Sequence, residues 1–364
     1  MNAARLLFVS GEYPPDIGGV GDYTARLRSA LDERRWSSGV LTRRQVKRWD
    51  ARALVRLLRV APRSGIVHIQ FQAGAFDLLG DVCLMPLVLR RLRPRVKVVT
   101  TFHDTRVPYL FPRAGGLRER AVRLLARSSD AVIAADADDL AALSGPSPRH
   151  HHIPIGTNIA NAPPPGYDRA TFRAWLGLPP EALVLAYFGL RNASKGLDLL
   201  FDTFDRVLAT RPDARLLMLG GEVGASDPTD RLTAARVEAR LARSRVIQTA
   251  WLPPPQLSAY LLAADIALLP YADGASARRG ALLACAAHNL PIVSTLPATP
   301  DVADFIAASP ADPAALSAAI DRIHRDPIQS GSLRAAASRL SQKTAWPQIA
   351  ARHVAIYEEL SRPG

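Results

Sequence analysis

Residues 183–196 read Leu-Val-Leu-Ala-Tyr-Phe-Gly-Leu-Arg-Asn-Ala-Ser-Lys-Gly, and this stretch decides the fold class. A short aliphatic and aromatic run ends at Phe188, and a glycine-containing turn leads from it into a pattern with helical spacing. The same alternation of short apolar runs with helical patterns continues along the whole chain. It is typical of parallel sheets, because parallel strands must be joined by long crossover connections. We therefore predict an α/β fold with doubly wound sheets.

The predicted strands form two groups, separated by a break over residues 158–167. The break contains Asn161-Ala-Pro-Pro-Pro-Gly166, which continues neither the strand nor the helix period. The predicted strands are Leu6–Ser10, Gly39–Thr42, Ile66–Gln70, Val96–Thr101, Ala131–Ala134 and His152–Ile155, then Leu183–Phe188, Leu216–Leu219, Val246–Thr249, Ile266–Leu269 and Ile292–Ser294.

Three domain-level segments follow from this pattern: residues 1–160, residues 167–344 and residues 345–364. The last segment has the spacing of an amphipathic helix. Its sequence leaves open whether it crosses back to the first domain or packs elsewhere.

Composition excludes several classes of protein. The chain has 364 residues, of which 48% are hydrophobic and 22% are charged, so a packed core is expected and intrinsic disorder is not. Cys83 and Cys285 lie in separate apolar stretches, which fits neither a disulfide framework nor a zinc site. We find no signal peptide and no charge-free segment long enough to span a bilayer. We expect a cytoplasmic protein, attached at most peripherally to the inner face of the membrane.

The positive charge is concentrated in the first half of the chain. The net charge is +13, and residues 1–160 hold 25 Lys and Arg against 14 Asp and Glu. If residues 50–60 form a helix, Arg52, Arg56 and Arg59 share one face, whereas Leu54, Leu57 and Leu58 cover another. A basic stripe beside an apolar one suits an anionic membrane surface, although a solvated outer helix has the same pattern.

Nucleic acid is a further partner for clustered arginine, but the sequence disfavours it. Aromatic residues make up only 6% of the chain, and no nucleic-acid-binding motif is present.

Three glycine-containing stretches carry the chemistry. In the first, residues 12–22, Gly18, Gly19 and Val20 open a helix, so backbone N–H groups can approach a ligand there. A plain structural turn is the alternative.

In the second stretch, Gly189 follows the apolar run of a strand, and Arg191 and Lys195 come after it. These two cations could neutralise a diphosphate, because ligands of open α/β sheets bind at the carboxyl ends of the strands. A surface loop is the alternative.

The third stretch covers residues 270–280 and precedes an apolar helix. Gly274 lies within it, Ser276 is a candidate N-cap, and the helix amides could receive phosphate oxygens. Arg278 and Arg279 add positive charge. The alternative is a capped helix with two exposed arginines.

Taken in this order, the three stretches resemble the retaining nucleotide-sugar glycosyltransferases of family 4. That family has the GT-B fold, in which two facing Rossmann-like domains enclose an interdomain cleft. The resemblance runs nearly the whole chain and rests on the following motifs: Glu12-Tyr-Pro-Pro with Gly18-Gly19-Val20, Val67-His68-Ile69-Gln70, Thr101-Phe102-His103-Asp104, Ser129-Asp-Ala-Val-Ile-Ala134, Ile153-Pro-Ile-Gly-Thr-Asn158, Lys195-Gly196 and Ala264-Asp-Ile-Ala-Leu-Leu-Pro270.

The resemblance implies transfer of a sugar, with retention of configuration, from a nucleoside-diphosphate sugar to a hydroxyl acceptor such as a lipid-linked or polysaccharide intermediate. It requires no metal and no cofactor besides the donor substrate. It implies that His103 contacts the transferred sugar as the catalytic residue. The implied donor-binding residues are Gly18, Gly19, Val20, Gly189, Arg191, Lys195, Gly274, Ser276, Arg278 and Arg279.

The sequence also departs from the family pattern. The family commonly has a Glu-x7-Glu motif, and the corresponding positions here are Ser276 and Ala284. The arginine expected after the glycine of the second stretch is Leu190, with Arg191 one place later, and Asn289 replaces an expected glycine. An inactive GT-B-like binding or accessory protein is therefore the alternative function. A sugar-nucleotide epimerase would need acid and base carboxylates that we cannot place.

Two other clusters fit structural roles better than metal binding. Asp136, Asp138 and Asp139 fall in a first helical turn, where the helix dipole favours acidic residues. His150, His151 and His152 are adjacent in a predicted strand region, so they cannot all face one ion.

Overall fold

The computed structural model describes residues 6–16, 18–77, 80–105, 115–143, 149–189, 195–220, 238, 240 and 245–362. The chain divides into two compact units. The N-terminal unit comprises Met1–Gly156 together with Ala345–Gly364, and the C-terminal unit comprises Thr157–Thr344. Each unit has a six-stranded sheet in which all neighbouring strands are parallel. The predicted α/β, doubly wound fold is thus confirmed.

The N-terminal sheet has the strand order β2-β1-β3-β4-β5-β6. Its strands are β1 Leu6–Ser10, β2 Ser38–Leu41, β3 Gly65–Phe71, β4 Val96–Phe102, β5 Ala131–Ala134 and β6 His150–His152. The helices of this unit are α1 Gly19–Asp32, α2 Arg43–Val46, α3 Ala51–Val60, α4 Met85–Leu92, α5 Gly115–Ser128, α6 Ala137–Leu143 and α13 Trp346–Ser361, with 3-10 turns at Ala73–Phe76 and Gly80–Leu84.

Both faces of this sheet are buried because alternate strand residues enter two different cores. Leu7 and Val9 of β1 contribute to the core beneath α3, α4 and α5. Leu6 and Phe8 contribute to the core beneath α1 and α13. Since successive strand residues point to opposite faces, the two helical layers lie on opposite sides of the sheet.

The C-terminal sheet has the strand order β12-β11-β10-β7-β8-β9. Its strands are β7 Val184–Phe188, β8 Arg215–Leu219, β9 Val246–Gln248, β10 Ile266–Leu269, β11 Ile292–Thr295 and β12 Ala307–Ser309. The helices described in this unit are α7 Arg169–Trp175, α8 Leu197–Thr210, α9 Pro254–Ala263, α10 Gly280–Ala287, α11 Pro313–Arg325 and α12 Pro327–Lys343, with a 3-10 turn at Pro300–Phe305.

The strand order reverses between β7 and β10, the first and fourth strands of this unit. In open α/β sheets a crevice forms where the order reverses, at the carboxyl ends of the strands. A ligand site is therefore expected at the loops after β7 and β10.

Two strand predictions were wrong. The predicted strand His152–Ile155 is β6 at His150–His152 instead. Pro154 explains the difference, because it has no N–H to continue the ladder after Ile153 N–H donates to the Ala134 carbonyl. The sequence did not predict β12, whose residues Ala307, Ala308 and Ser309 lack β-branched or aromatic side chains.

Among the described residues, no helix is both long and apolar enough to cross a membrane.

The C-terminal helix α13 should contribute to the stability of the N-terminal unit. Ile349 is fully buried in the core that α13 shares with α1 and the sheet. We expect Ile349→Ala to lower the free energy of unfolding by about 2–5 kcal/mol, because it leaves a cavity. Ile328→Ala is the matched control, since Ile328 is 86% exposed. Chemical denaturation of both variants checks this, and equal effects would contradict the packing.

Candidate functional site

The loops after β7 and β10 contact each other through glycines. A side chain at Gly196 would place its Cβ 1.8 Å from the Pro270 carbonyl oxygen, and Gly196 has a φ of 63°, so only glycine fits there without strain. Gly189, directly after β7, lies near the first turn of α10: a Cβ there would be 4.0 Å from Ala281 Cβ. The second and third stretches are thus adjacent at the position where the strand order reverses.

Two cations converge on one buried aromatic ring in this place. Lys195 Nζ lies 5.2 Å from the ring centroid of Tyr271, and Arg279 Cζ lies 4.8 Å from the same centroid. Tyr271 is 1% exposed, and Asp273 forms an ion pair with Arg279. Two cations against one carboxylate give this cluster a net positive charge. We call Lys195, Tyr271, Asp273 and Arg279 the cationic cluster.

Lys195 titrates at an unusually low pH for a lysine. Burial, followed by the nearby charge of Arg279, lowers its pKa to about 8, whereas Asp273 opposes the shift. An anion bound beside Lys195 would offset both causes. The cluster therefore has the electrostatics of a phosphate site.

The loop leading into α10 is tightly folded, and one sequence prediction about it was wrong. Arg279, not Ser276, is the N-cap residue, and its side chain makes no capping hydrogen bond. Ser276 is buried three residues earlier, where its carbonyl accepts from Arg279 N–H and closes a turn. Gly274, with a φ of 85°, packs against the backbone of Leu296. Arg278 is half-buried on the same loop.

Arg191 lies outside the described residues, as does Leu190. The prediction that Arg191 assists Lys195 therefore stays a prediction.

Two residues of this site were not predicted from the sequence. Tyr271 supplies the aromatic ring that Lys195 and Arg279 both contact. Asp301 accepts hydrogen bonds from Ala277 N–H at 3.3 Å and from the Thr299 hydroxyl, so a carboxylate lies against the loop that contains Ser276. The Thr-Pro-Asp sequence at 299–301 signals a turn, but no spacing in the sequence connects it to residue 277.

In the N-terminal unit, the first glycine-containing stretch has the carboxylate of Glu12 directly beside Gly18. A Cβ at Gly18 would lie 1.8 Å from Glu12 Oε2, whereas one at Gly19 would meet nothing within 4 Å. Burial raises the pKa of Glu12; Arg43 opposes this, and Asp16 and Asp22 add to it. Carboxylates accept hydrogen bonds from hydroxyl groups and repel phosphates, so this loop suits a sugar.

Val20 and His103 complete the predicted residues of the N-terminal unit. The Val20 side chain is buried, so only its backbone is available to a ligand. His103 follows β4, and its Nε2 lies 2.8 Å from Gln70 Oε1. Burial, with a contribution from His353, lowers the pKa of His103 to about 3. His103 is therefore neutral at physiological pH and acts as a hydrogen-bonding group rather than as an acid.

Asp136, in one of the two clusters set aside in the sequence, has a structural role. Asp136 Oδ1 accepts from the N–H groups of Asp138 and Asp139, so it caps α6. Within the described ranges, no group of three or more His, Cys, Asp or Glu residues is arranged to hold a metal ion. Cys83 and Cys285 are buried free thiols, and burial raises the pKa of each to about 12.

Comparison with known sequences gives partial matches. Residues 182–326 match the family described as glycosyl transferases group 1. D-inositol 3-phosphate glycosyltransferase 1 of Catenulispora acidiphila is 28% identical over 260 residues, which cover 68% of this chain and 60% of that protein. The enzyme of Segniliparus rotundus named D-inositol 3-phosphate glycosyltransferase is 30% identical over 118 residues, 32% of this chain and 26% of that protein. The chain thus spans less than two thirds of the length of these relatives.

Comparison with solved structures covers the whole chain. Sucrose-phosphate synthase of Thermosynechococcus elongatus matches with a TM-score of 0.70 at 19% identity, covering 98% of this chain and 99% of that one. Anabaena HepE in complex with UDP and glucose matches with a TM-score of 0.73 at 14% identity, covering 98% and 100%. At such identities the likeness shows the fold alone. The chain therefore has the two-domain GT-B fold, and residues 182–326 within it match the family described as glycosyl transferases group 1.

Proposed function

We propose that this protein transfers a sugar from a nucleoside-diphosphate sugar to a hydroxyl acceptor, and that the cationic cluster binds the diphosphate. The convergence of Lys195 and Arg279 on Tyr271, where the strand order reverses, carries this proposal. Two fixed cations match the two negatively charged phosphates, and the amides of the first turn of α10 lie next to Gly189.

The comparisons support a nucleotide-sugar donor. Anabaena HepE is described in complex with UDP, with UDP-glucose, and with UDP and glucose. The curated relatives are named D-inositol 3-phosphate glycosyltransferases, which act by sugar transfer. We extend the donor class to this chain and leave its sugar and base open.

The proposed reaction retains the anomeric configuration. The acceptor hydroxyl oxygen bonds to the anomeric carbon on the face that the diphosphate leaves, while the bond from that carbon to the phosphate oxygen breaks. The departing phosphate oxygen takes the hydroxyl proton. Negative charge grows on the diphosphate during this step, and Lys195 and Arg279 stabilise it more strongly than they stabilise the bound donor.

The remaining residues would bind the sugar. By the family resemblance, neutral His103 and the backbone at Gly18 and Gly19 contact it, and the Glu12 carboxylate adds a hydroxyl acceptor next to Gly18. Asp301 supplies a carboxylate beside the loop that contains Ser276. Ser276 stands where the family commonly has the first glutamate of the Glu-x7-Glu motif. In this account Asp301 compensates for part of the missing Glu-x7-Glu motif.

We further propose that the acceptor is lipid-linked and reached at the cytoplasmic face of an anionic membrane. Large apolar side chains are exposed at eleven described positions, and seven of these lie on the layer of α3, α4 and α5: Val55, Val60, Leu84, Leu87, Leu92, Leu117 and Leu124. Exposed arginines alternate with them, at Arg52, Arg56, Arg59, Arg90, Arg91, Arg120, Arg123 and Arg127. Apolar groups enter the headgroup region while arginines pair with anionic lipids.

The first test removes one cation of the cluster. A hydrogen bond to a charged group contributes about 1.5–3 kcal/mol, so Lys195→Ala should weaken UDP or GDP binding by about tenfold or more. Lys343→Ala is the matched control, because Lys343 Nζ lies 4.8 Å from the centroid of the Phe305 ring, a different ring from that of the cationic cluster. Isothermal titration measures both. Unchanged affinity of Lys195→Ala for every nucleotide tested would contradict the assignment. Binding without any transfer or donor hydrolysis would instead favour the accessory role.

The low pKa of Lys195 predicts a pH dependence. Lys195 is cationic below a pKa of about 8 and neutral above it, so diphosphate affinity should fall as the pH rises through 8. The diphosphate does not lose negative charge as the pH rises, so its own ionisation cannot cause this fall in affinity. Lys195→Arg should abolish the fall, because arginine stays charged. A flat profile for the unmodified protein would show that Lys195 does not titrate beside the diphosphate.

The membrane proposal predicts a loss of vesicle binding on charge reversal. Each basic residue near an anionic surface contributes about 1 kcal/mol, so combining Arg52→Glu, Arg56→Glu and Arg59→Glu should weaken binding by about 100-fold or more. Co-sedimentation with vesicles of equal parts phosphatidylglycerol and phosphatidylcholine measures this. The control makes the same charge change at Arg322, Arg325 and Arg339, exposed on α11 and α12. Equal losses for both triple variants would indicate a non-specific effect of net charge.

A further inference from the structure

A row of hydrogen-bonded side chains connects the end of β4 to helix α13 in the N-terminal unit. His103 Nε2 lies 2.8 Å from Gln70 Oε1, and Gln70 Nε2 lies 3.1 Å from His68 Nε2. His68 Nδ1 lies 2.6 Å from the Tyr357 hydroxyl. His68 and Gln70 are fully buried. Water therefore cannot replace a partner that either residue loses.

The amide of Gln70 has one accepting end and one donating end, and each faces a ring nitrogen. Its oxygen can only accept, so His103 must carry a proton on Nε2. Its NH2 group can only donate, and it faces His68 Nε2 at 3.1 Å. That nitrogen is therefore the acceptor, and it accepts from the Thr101 hydroxyl at 2.7 Å as well. His68 then donates from Nδ1 to the Tyr357 oxygen. The tautomers of the two histidines are thus coupled through one amide.

We propose that Gln70 is a positioning residue that fixes His103 as a neutral imidazole with its proton on Nε2. The lone pair on Nδ1 is then the acceptor that this ring offers to a sugar hydroxyl. Among the described residues, Nδ1 of His103 has no hydrogen-bond partner, so it is available. The role of the lone pair rests on the proposed function, whereas the tautomer can be tested without any turnover.

The surroundings of His103 support a neutral ring. Tyr23 contacts it edge-on with ring centroids 4.7 Å apart, and His353 lies on the same side of the sheet against His68, with centroids at 5.6 Å. Burial lowers the pKa of His68, His103 and His353. In this network no described carboxylate hydrogen-bonds to either His68 or His103, so neither ring gains a partner that would stabilise its cation.

The unmodified protein provides the first test. Two-bond ¹H–¹⁵N correlation spectra of histidine-labelled protein distinguish the two neutral tautomers and the imidazolium ion. His103 is assigned by comparison with a His103→Gln variant among the eight histidines. We expect the Nε2–H tautomer at neutral pH. The Nδ1–H tautomer, a mixture of both, or the imidazolium would each overturn the proposal.

Two variants test whether Gln70 is the cause. Gln70→Met keeps a similar side-chain length but makes no hydrogen bond to either ring, so His103 should become a mixture of tautomers. Thr101→Val is the control: Thr101 Oγ1 lies 2.7 Å from His68 Nε2, and its loss leaves the bond between Gln70 and His103 intact. A pure Nε2–H tautomer in folded Gln70→Met, or an equal change in Thr101→Val, would overturn the role of Gln70. If Gln70→Met fails to fold, the spectrum of the unmodified protein still decides the tautomer.

Kinetics separate this proposal from the proposed function. If sugar transfer is observed, Gln70→Met should lower kcat by about tenfold, while the KM for the donor changes by less than about threefold, because the diphosphate is held elsewhere. An equal effect on both constants would indicate general damage and would contradict positioning. If the unmodified protein transfers no sugar, the proposed function fails, and the tautomer spectrum alone decides the proposal on Gln70.

Discussion

Lys195 and Arg279 carry like charges and contact the same buried ring, that of Tyr271. Holding two cations together away from water costs free energy, and the lowered pKa of Lys195 is a direct sign of that cost. An anion with two charged groups, bound beside both cations, would offset this free-energy cost. The fold imposes this arrangement, because Gly196 seats one loop directly on the backbone of Pro270 in the other.

The N-terminal unit contributes chemistry of the opposite kind. Its glycine-containing loop presents the carboxylate of Glu12 next to Gly18, and the loop after β4 presents His103 as a neutral imidazole. Neither group attracts phosphate, and both accept hydrogen bonds from hydroxyl groups. The two units therefore suit different ligand groups: the cations of the C-terminal unit suit phosphates, and the neutral or anionic acceptors of the N-terminal unit suit hydroxyl groups.

The sequence predicted the strands well because apolar runs are needed wherever both faces of a parallel sheet are covered. It failed where a single backbone group decided the outcome. Pro154 ended β6 early, and Ser276 was wrongly predicted as the N-cap because an extra turn separates it from Gly280. Lys195 was found from its position after a strand. Asp301 and Tyr271 were not, because their roles depend on contacts between loops that are distant in sequence.

Recognition of a pyrophosphate by the C-terminal unit is tested most directly by comparing ligands that differ only in phosphate number. Isothermal titration of UDP, UMP and uridine, or of the corresponding guanosine series, gives three affinities for one base. We expect the diphosphate to bind at least about tenfold more tightly than the monophosphate, since a second charge-assisted contact is added. Equal affinities for the diphosphate and the nucleoside would show that Lys195 and Arg279 do not bind the phosphates.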